Sequence, residues 1–376
     1  LWACILLVIK FGPRREWSSS SVRFAMEMDA QEVEKFGAQT QEALEIVFSF
    51  VPALVLKSAL LLEIPDIIAR QGPNSSLSVQ EIAARLPTKN PHLDNLSRIL
   101  RYLSTKGVFI RSGEGDGDEI RYALTDTAKL FFVKGENPSS MVHAAMLETQ
   151  EALMARWHHV HECVLQGGHA LRRAHGKDVY ACARDDPHLN SVINDYLAAD
   201  TMTSIEQIVK HYDGFKELKS VVDMGGSKGT ALREIVKAHP HIHGINFDLP
   251  HVIATAQPIP GIEHVGGSMF DGIPSADAIF IKNVLIDWDD ESCIKILKNC
   301  HKALPENGKL VVIEEMMPET VEQREIVEIL KVAPLTELLM RNEEEWIKML
   351  QHSGFRNLKV VSLPGAFSNK IMIEAI

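Results

Sequence analysis

A glycine-rich stretch in the second half of the chain is the clearest candidate for a chemical role. It reads Val221-Val222-Asp223-Met224-Gly225-Gly226-Ser227-Lys228-Gly229 and begins with a short apolar run typical of a strand. Glycine lets the backbone turn sharply and approach a ligand, and the N-terminus of the following helix faces the same point. Ordinary strand-to-helix turns use the same spacing, so Gly225, Gly226 and Gly229 alone do not establish a cofactor site.

A carboxylate further along the chain strengthens this interpretation. Asp248 ends a second apolar run, in Asn246-Phe247-Asp248-Leu249-Pro250. An acid at a second strand end, about 20 residues after the glycines, suits the hydroxyl pair of a ribose. The alternative is that Asp248 only caps the turn that follows it. Because the sequence has no G-x-x-x-x-G-K-[ST] phosphate loop, the two features together predict a nucleoside cofactor.

The segments around these residues alternate between strands and helices. Four short apolar runs, separated by helical segments, occupy 220–224, 242–247, 278–281 and 309–313. Strands that alternate with helices form a parallel sheet covered on both faces. We therefore predict a Rossmann-like, doubly wound α/β fold over residues 138–376, closed by a terminal hairpin across 358–374.

The N-terminal part has a different pattern. Residues 30–124 predict several helices followed by a hairpin, which is a winged-helix plan, and Ser78-Val79-Gln80-Glu81 has the pattern of a capping box. We predict a separate domain over 29–137. The preceding residues, 1–28, begin with a run of nine apolar residues, from Leu1 to Ile9. This run is too short to cross a bilayer. We interpret them as a leader or fragment and expect them to be disordered.

Composition limits the partners and the compartment. The 376 residues include 39 basic and 50 acidic side chains, a formal charge of −11, which disfavours nucleic acid and membrane surfaces. A winged-helix DNA-binding regulator is the alternative class, but the helix His92–Lys106 offers only Arg98, Arg101 and Lys106 as cations. Five scattered cysteines and sixteen histidines lack metal-ligand spacing, so we expect no metal and a reducing, cytoplasmic setting.

Several segments together resemble a known family. They are GINFDLPHV, GIEHVGGSMF, DWDDESCIKILKNCHKALPENGKLVVIEE and the glycines at the first strand end. The chain from about Gln41 to Ile376 resembles plant small-molecule O-methyltransferases of the caffeic acid and flavonoid type. The resemblance implies S-adenosylmethionine as cofactor, no metal, a small aromatic substrate, and an N-terminal dimerisation domain that makes the protein a homodimer. The run Val51–Leu62, apolar nearly all round, fits burial against a partner subunit.

The resemblance assigns cofactor roles position by position. Gly225 matches the glycine against the methionine part, and Asp248 matches the ribose-binding acid. Met269 matches an apolar residue against adenine, and Lys282 matches a lysine whose backbone and stem line the site. Ser268 departs from the family, which has Asp there. A serine hydroxyl still accepts a hydrogen bond but carries no charge, so we expect weakened binding.

The catalytic position departs further. Where the family has His-Asp-Trp, this chain has Ile286-Asp287-Trp288, and isoleucine cannot take the phenol proton that the histidine accepts. Glu314 matches the first of two glutamates that flank the histidine. The second falls at Met340 or, with a small shift of the alignment, at Glu343.

Loss of the histidine leaves three interpretations open. Phenols have a pKa near 10, and a general base is worth about 10²–10⁴-fold, so oxygen methylation should be slow unless Glu314 or water substitutes. A neutral aromatic amine has a free lone pair, so nitrogen methylation needs positioning alone. The third interpretation is an inactive protein or one reused for binding or another reaction.

Overall fold

The computed structural model describes residues 30–72, 74–113, 119–132, 140–316, 340–361 and 370–376. The chain divides into two units, Leu1–Ala128 and Lys129–Ile376. The predictions for residues 1–28 and for the Pro364-Gly365 turn lie outside the described residues. The boundary between residues 137 and 138 also lies there and stays a prediction.

The first unit consists of helices and a small antiparallel sheet. Its elements are α1 (Ala30–Val47), α2 (Val51–Leu61), α3 (Ile64–Ala69), β1 (Ser76–Ser78), α4 (Val79–Ala83), α5 (Leu93–Thr105), β2 (Phe109–Ser112) and β3 (Arg121–Leu124). The strands are ordered β1-β3-β2, and both pairs are antiparallel. The predicted hairpin is therefore confirmed. Strand β1, which adds a third strand, was not predicted.

The predicted capping box at the start of α4 is present. The Glu81 backbone N–H donates to Ser78 Oγ over 3.3 Å, and the Ser78 N–H donates to Glu81 Oε2 over 2.8 Å. Arg121 on β3 also donates to Glu81 Oε2, over 2.7 Å. The box thus ties the start of the helix to the sheet.

The apolar helices at the N-terminal end keep much of their surface uncovered within the chain. Of α2, only Ala59 and Leu60 are fully buried, whereas Leu61 is 63% exposed and Ile46, near the end of α1, is 75% exposed. Among the described residues no single helix is long and apolar enough to span a membrane. The pair Lys35–Val47 and Val51–Leu61, bent by 51°, meets that test only jointly, by length and composition.

The second unit is a sheet flanked by helices. Its helices are α6 (Ser140–Glu148), α7 (Glu151–Met154), α8 (Val160–Gln166), α9 (Ala170–His175), α10 (Val179–Asp185), α11 (Pro187–His211), α12 (Thr230–Ala238), α13 (Pro250–Ile253), α14 (Asp290–Ala303) and α15 (Glu343–His352). Short 3₁₀ turns lie at Thr127–Phe131, Ala155–His159, Asp213–Phe215 and Leu285–Asp287. Between residues 140 and 166 the chain thus forms several short helical segments.

The strands of the second unit form one mixed sheet. They are β4 (Ser220–Met224), β5 (His243–Asp248), β6 (Ile262–Gly266), β7 (Ala278–Lys282), β8 (Lys309–Glu315), β9 (Lys359–Val361) and β10 (Lys370–Ala375), in the order β6-β5-β4-β7-β8-β10-β9. Strands β4 to β8 pair in parallel, and β10 pairs antiparallel with β8 and with β9. The predicted Rossmann-like fold and terminal hairpin are confirmed.

Side chains that alternate along each central strand enter two separate cores. On β4, Val222 and Met224 join the core that contains Trp346, whereas Val221 joins the core that contains Phe215. The central strands are therefore covered on both faces, as their continuous apolar sequences predict. A polar side chain on such a strand has to find its partners inside the sheet.

Candidate active site

The carboxyl edge of the parallel strands carries almost every residue predicted for the site. Read across the sheet, β6 is followed by Ser268, β5 ends at Asp248, β4 is followed by Gly225, β7 ends at Lys282, and Glu314 lies near the end of β8. Carboxyl ends of parallel strands meet at one edge, which is where ligands of open α/β sheets bind. The structure thus places at one edge residues that lie up to about 90 positions apart in the sequence.

The glycine loop after β4 requires the absence of side chains. Gly225 and Gly229 have φ of 74° and 80°, in the left-handed region that favours glycine. A Cβ on Gly225 would lie 2.6 Å from Val284 Cγ2, and one on Gly226 would lie 2.2 Å from Asn246 Oδ1. The loop therefore packs its backbone directly on its neighbours and leaves its outer side, at Gly225 and Ser227, exposed.

Asp248 connects this loop to β5. Its Oδ2 accepts a hydrogen bond from the Ser227 N–H over 2.8 Å, and its Oδ1 accepts one from the Leu249 N–H over 2.7 Å. The second bond is the turn cap that the sequence left as an alternative. Because the carboxylate is half-exposed beside the loop, it keeps acceptor capacity for a ligand hydroxyl.

Ser268 and Met269 follow the glycine pair after β6. Ser268 Oγ accepts a long hydrogen bond, 3.3 Å, from the Phe270 N–H, so the hydroxyl closes its own turn. Met269 packs partly buried against the core, and its carbonyl accepts from Asn299 Nδ2 over 2.8 Å. Both side chains lie at the same edge as Asp248.

Lys282 belongs to a buried cluster of charges. Its Nζ lies 2.6 Å from Asp200 Oδ2, and Lys370 Nζ lies 2.7 Å from the same oxygen. Asn283 adds a third donor to this oxygen, over 3.1 Å. Burial would raise the pKa of Asp200, but the charges of the two lysines outweigh it, and the pKa lies below its ordinary value. Burial, reinforced by Lys370, lowers the pKa of Lys282.

Glu314 holds the turn that carries Ile286. Its Oε1 accepts hydrogen bonds from the Val284 and Leu285 N–H groups over 3.0 and 2.8 Å, whereas its Oε2 has no partner among the described residues. The side chain is fully buried, and burial raises its pKa to about 7 despite these two N–H donors. Ile286, in the same turn, is 5% exposed.

Further contacts fix this turn from its other side. Arg341 donates to the Trp288 carbonyl over 2.8 Å and to Asp290 Oδ1 over 2.9 Å, and its guanidinium lies over the Trp346 ring at 4.9 Å. Tyr180 donates to Asp287 over 2.8 Å. Asp289 caps the next helix by accepting a hydrogen bond from the Ser292 N–H. The turn at Leu285–Asp287 is thus held from both sides.

The two candidates for the second family glutamate differ in position. Met340 is buried, and Glu343 is the first, half-buried residue of α15, whose start is capped by Asn342 and Glu345. Only Glu343 carries an acid. The choice between them stays a prediction.

No group of three or more metal-ligating side chains occurs among the residues that the structure describes. His159, one of the histidines near Trp157, has its Nδ1 atom 3.0 Å from Glu162 Oε1 in the following helix, α8. Cys293 and Cys300 are buried and form no disulfide.

Four buried polar residues at this edge were not given a role from the sequence. They are Asp200, Asp223, Asn246 and Arg341. Asp223 and Asn246 each interrupt an apolar strand. A polar residue within an apolar run can be recognised from the sequence. Asp200 and Arg341 lie far along the chain from their partners, so no local pattern marks them.

Comparison with known proteins agrees with this geometry. An O-methyltransferase domain model matches residues 157–356, and an O-methyltransferase dimerisation domain model matches residues 44–134. A caffeic acid 3-O-methyltransferase from Catharanthus roseus is 37% identical over 324 residues, which cover 84% of this chain and 89% of that protein. This chain belongs to the O-methyltransferase family. The segment with the winged-helix pattern is thereby assigned to dimerisation.

Other members and solved structures extend the likeness. The (R,S)-reticuline 7-O-methyltransferase of Papaver somniferum is 36% identical over 334 residues, 86% of this chain and 94% of that protein. Human N-acetylserotonin methyltransferase in complex with SAM has a TM-score of 0.74 at 18% identity, over 93% of this chain and 98% of that chain. At that identity it shows the shared fold alone.

S-adenosylmethionine is the cofactor of this O-methyltransferase family, and the edge of the sheet fits it. Gly225 packs against Val284 without room for a Cβ, the outer side of the loop is open, and the Asp248 carboxylate lies beside it. Ser268 and Met269 flank the same edge. The loop and Asp248 would hold the cofactor, which supplies a methyl group on a positively charged sulfur.

The buried cluster predicts a sharp stability effect. Asp200→Asn should lower the free energy of unfolding by about 3 kcal/mol at pH 7, because two buried ammonium groups lose the carboxylate that both of them contact. The lowered Asp200 pKa means that this stabilisation is present above about pH 4 and is lost as pH falls through the folded-state pKa. Urea denaturation from pH 3 to 7 measures it.

Glu344→Gln is the matched control, because it breaks an exposed pair with Lys348. It should leave the unfolding midpoint unchanged. Equal effects of the two substitutions would contradict the role given to Asp200.

Proposed function

We propose that this O-methyltransferase transfers the methyl group of S-adenosylmethionine to a hydroxyl of a small aromatic plant metabolite of the phenylpropanoid, flavonoid or alkaloid type. The observation that carries the proposal is the gathering of Gly225, Asp248, Ser268 and the Glu314-held turn at one edge of the sheet. Family relatives that act on caffeic acid and on reticuline support this acceptor class.

The chain supports transfer mainly by positioning. The turn at Leu285–Asp287 is fixed by Glu314 from within and by Arg341 beyond it. Holding acceptor oxygen and methyl carbon in line is worth several orders of magnitude in rate. Ile286 offers no proton acceptor, so proton removal from a phenol falls to water or to Glu314, whose free Oε2 and raised pKa suit a base.

A second candidate function is methylation of nitrogen. It is favoured by the same substitution, because the buried Ile286 presents hydrocarbon where a base would stand. A neutral aromatic amine attacks through its lone pair and needs no base beforehand. A protein that binds the cofactor without transferring its methyl group is the third interpretation.

We propose that the protein is a cytoplasmic homodimer. The exposed apolar residues Ile46, Phe50 and Leu61 lie within or beside the segment that matches the dimerisation domain. Covering large apolar side chains contributes roughly 25 cal/mol per Å². The acidic overall charge fits a protein that binds neither nucleic acid nor membrane.

Ser268→Asp should tighten binding of S-adenosylhomocysteine by about tenfold, since it restores a charge-assisted hydrogen bond to the adenosine part. Isothermal titration calorimetry measures the affinity. Ser275→Asp, an exposed serine before β7 and therefore at the opposite end of the strands, is the control and should leave the affinity unchanged. Unchanged or weaker binding by Ser268→Asp would contradict the adenosine assignment.

Ile286→His should raise phenol methylation by about 10²-fold or more, because the imidazole takes the phenol proton and Glu314 Oε2 stabilises its charged form. The pH profile should turn near the imidazole pKa. Rates with matched phenol and aniline acceptors are compared for wild type and variant, and aniline rates should barely change.

Ile286→Gln is the matched variant, since glutamine is polar but takes no proton near neutral pH. It should not accelerate phenol methylation. Negligible phenol rates in both wild type and Ile286→His, with cofactor binding demonstrated, would overturn the O-methyltransferase assignment of the acceptor site.

A further inference from the structure

Two buried oxygen atoms face each other beneath the glycine loop without a donor. Asp223 is 3% exposed and Asn246 is fully buried, and neither Asp223 Oδ2 nor Asn246 Oδ1 has a hydrogen-bond partner among the described residues. A Cβ placed on Gly226 would lie 2.6 Å from Asp223 Oδ2 and 2.2 Å from Asn246 Oδ1. The two oxygens therefore share a few ångströms of space under that glycine, where two acceptors without a proton would repel.

The orientation of the Asn246 amide is fixed by its other contacts. Its Nδ2 lies 2.9 Å from the Ser227 carbonyl oxygen and 3.0 Å from His264 Nδ1. His264 Nε2 lies 2.9 Å from the Gln257 carbonyl oxygen. Because a carbonyl only accepts, Nε2 carries the imidazole hydrogen, and Nδ1 accepts from Asn246.

Rotating the amide would break this chain. It would set Asn246 Oδ1 against the Ser227 carbonyl, which is also an acceptor. Two backbone carbonyls, those of Gln257 and Ser227, therefore set the direction of every hydrogen bond as far as Asn246 Oδ1. Among the described residues, the carboxyl of Asp223 lies beside that oxygen and can supply a donor.

We propose that Asp223 is a positioning residue that keeps its proton and donates it to Asn246 Oδ1, and that this bond holds the glycine loop in its cofactor-binding form. The path to the loop is short. Asn246, fixed by Asp223 on one side, donates to the Ser227 carbonyl on the other. Ser227 in turn donates to Asp248, the carboxylate assigned to the ribose.

The electrostatic surroundings agree with a protonated Asp223. Burial raises its pKa to about 7, and the nearby charge of Asp248 on β5 acts in the same direction. Lys282 on β7 and the Leu232 N–H on α12 oppose the shift without cancelling it. A raised carboxyl pKa stabilises the folded form fully below the ordinary Asp value, and this contribution is lost as pH rises through the folded-state pKa.

The consequence is cofactor binding that weakens with rising pH. When Asp223 loses its proton to solvent, its carboxylate faces Asn246 Oδ1 and the loop loses its support. In Asp223→Asn the side-chain amide has the shape of the carboxyl group and donates an N–H at every pH. Its oxygen still accepts a hydrogen bond. The ratio of the wild-type dissociation constant to that of Asp223→Asn, for S-adenosylhomocysteine, should rise by about tenfold from pH 6.5 to 8.5.

The ratio cancels any titration of the ligand itself, and calorimetry measures both constants. Asp277→Asn is the matched control, because Asp277 caps the opposite end of β4 through the Lys219 and Ser220 N–H groups. It should follow the wild-type pH dependence. A ratio that stays constant with pH, or an equal change in Asp277→Asn, would overturn the proposal.

Two measurements remain decisive if Asp223→Asn does not fold. Wild-type titrations at pH 8 in buffers of different ionisation enthalpy should show proton uptake on binding. Infrared spectra of a Glu314→Gln variant, which lacks the other buried carboxyl whose pKa is raised to about 7, should show the carbonyl band of a protonated carboxylic acid that weakens from pH 6.5 to 8.5 and returns with S-adenosylhomocysteine. No proton uptake, or a band insensitive to the ligand, would contradict the proposed role.

Discussion

Each carboxylate buried at the carboxyl edge of the sheet needs a donor, and this requirement organises the site. An uncompensated buried charge costs several kcal/mol. Asp200 meets the requirement with two lysines, and Glu314 meets it at one oxygen with two backbone N–H groups. Each solution fixes a different element: the strand ends at Lys282 and Lys370, and the turn that carries Ile286.

The cofactor loop and the catalytic turn are mechanically joined. Val284, whose N–H donates to Glu314, packs against Gly225 so closely that a Cβ there would lie 2.6 Å away. Because protein interiors are close-packed, a displacement of the turn is transmitted directly to the loop.

Under the proposed function, alignment and proton removal depend on different groups. The turn that carries Ile286 is held by Glu314, Arg341 and Tyr180. The isoleucine side chain itself accepts no proton. We therefore expect a reaction that depends on alignment to be favoured over one that depends on early deprotonation.

Apolar strands were the most predictable part of the fold. The strand Ala278–Lys282, for example, is buried on both faces, and its first four residues form a continuous apolar run. The edge strand Ile262–Gly266 was missed because Glu263 and His264 interrupt its apolar residues and it is covered less completely.

The site was predictable only in part. The glycines and Asp248 carry local signals, and the family resemblance added Ser268, Met269, Lys282 and Glu314. The contacts that hold these residues do not show in the sequence, because Asp200 meets Lys370 across 170 positions. Hydrogen-bond direction, as at Asn246 and His264, is visible only in the assembled structure.

Calorimetric titration of the wild-type protein with S-adenosylhomocysteine at pH 6.5 tests the central claim, a cofactor site at the carboxyl edge of this sheet, most directly. The structure predicts saturable binding of one ligand per chain, weakened relative to a site with Asp at position 268 but complete well below millimolar concentration. No binding at millimolar ligand would contradict the account.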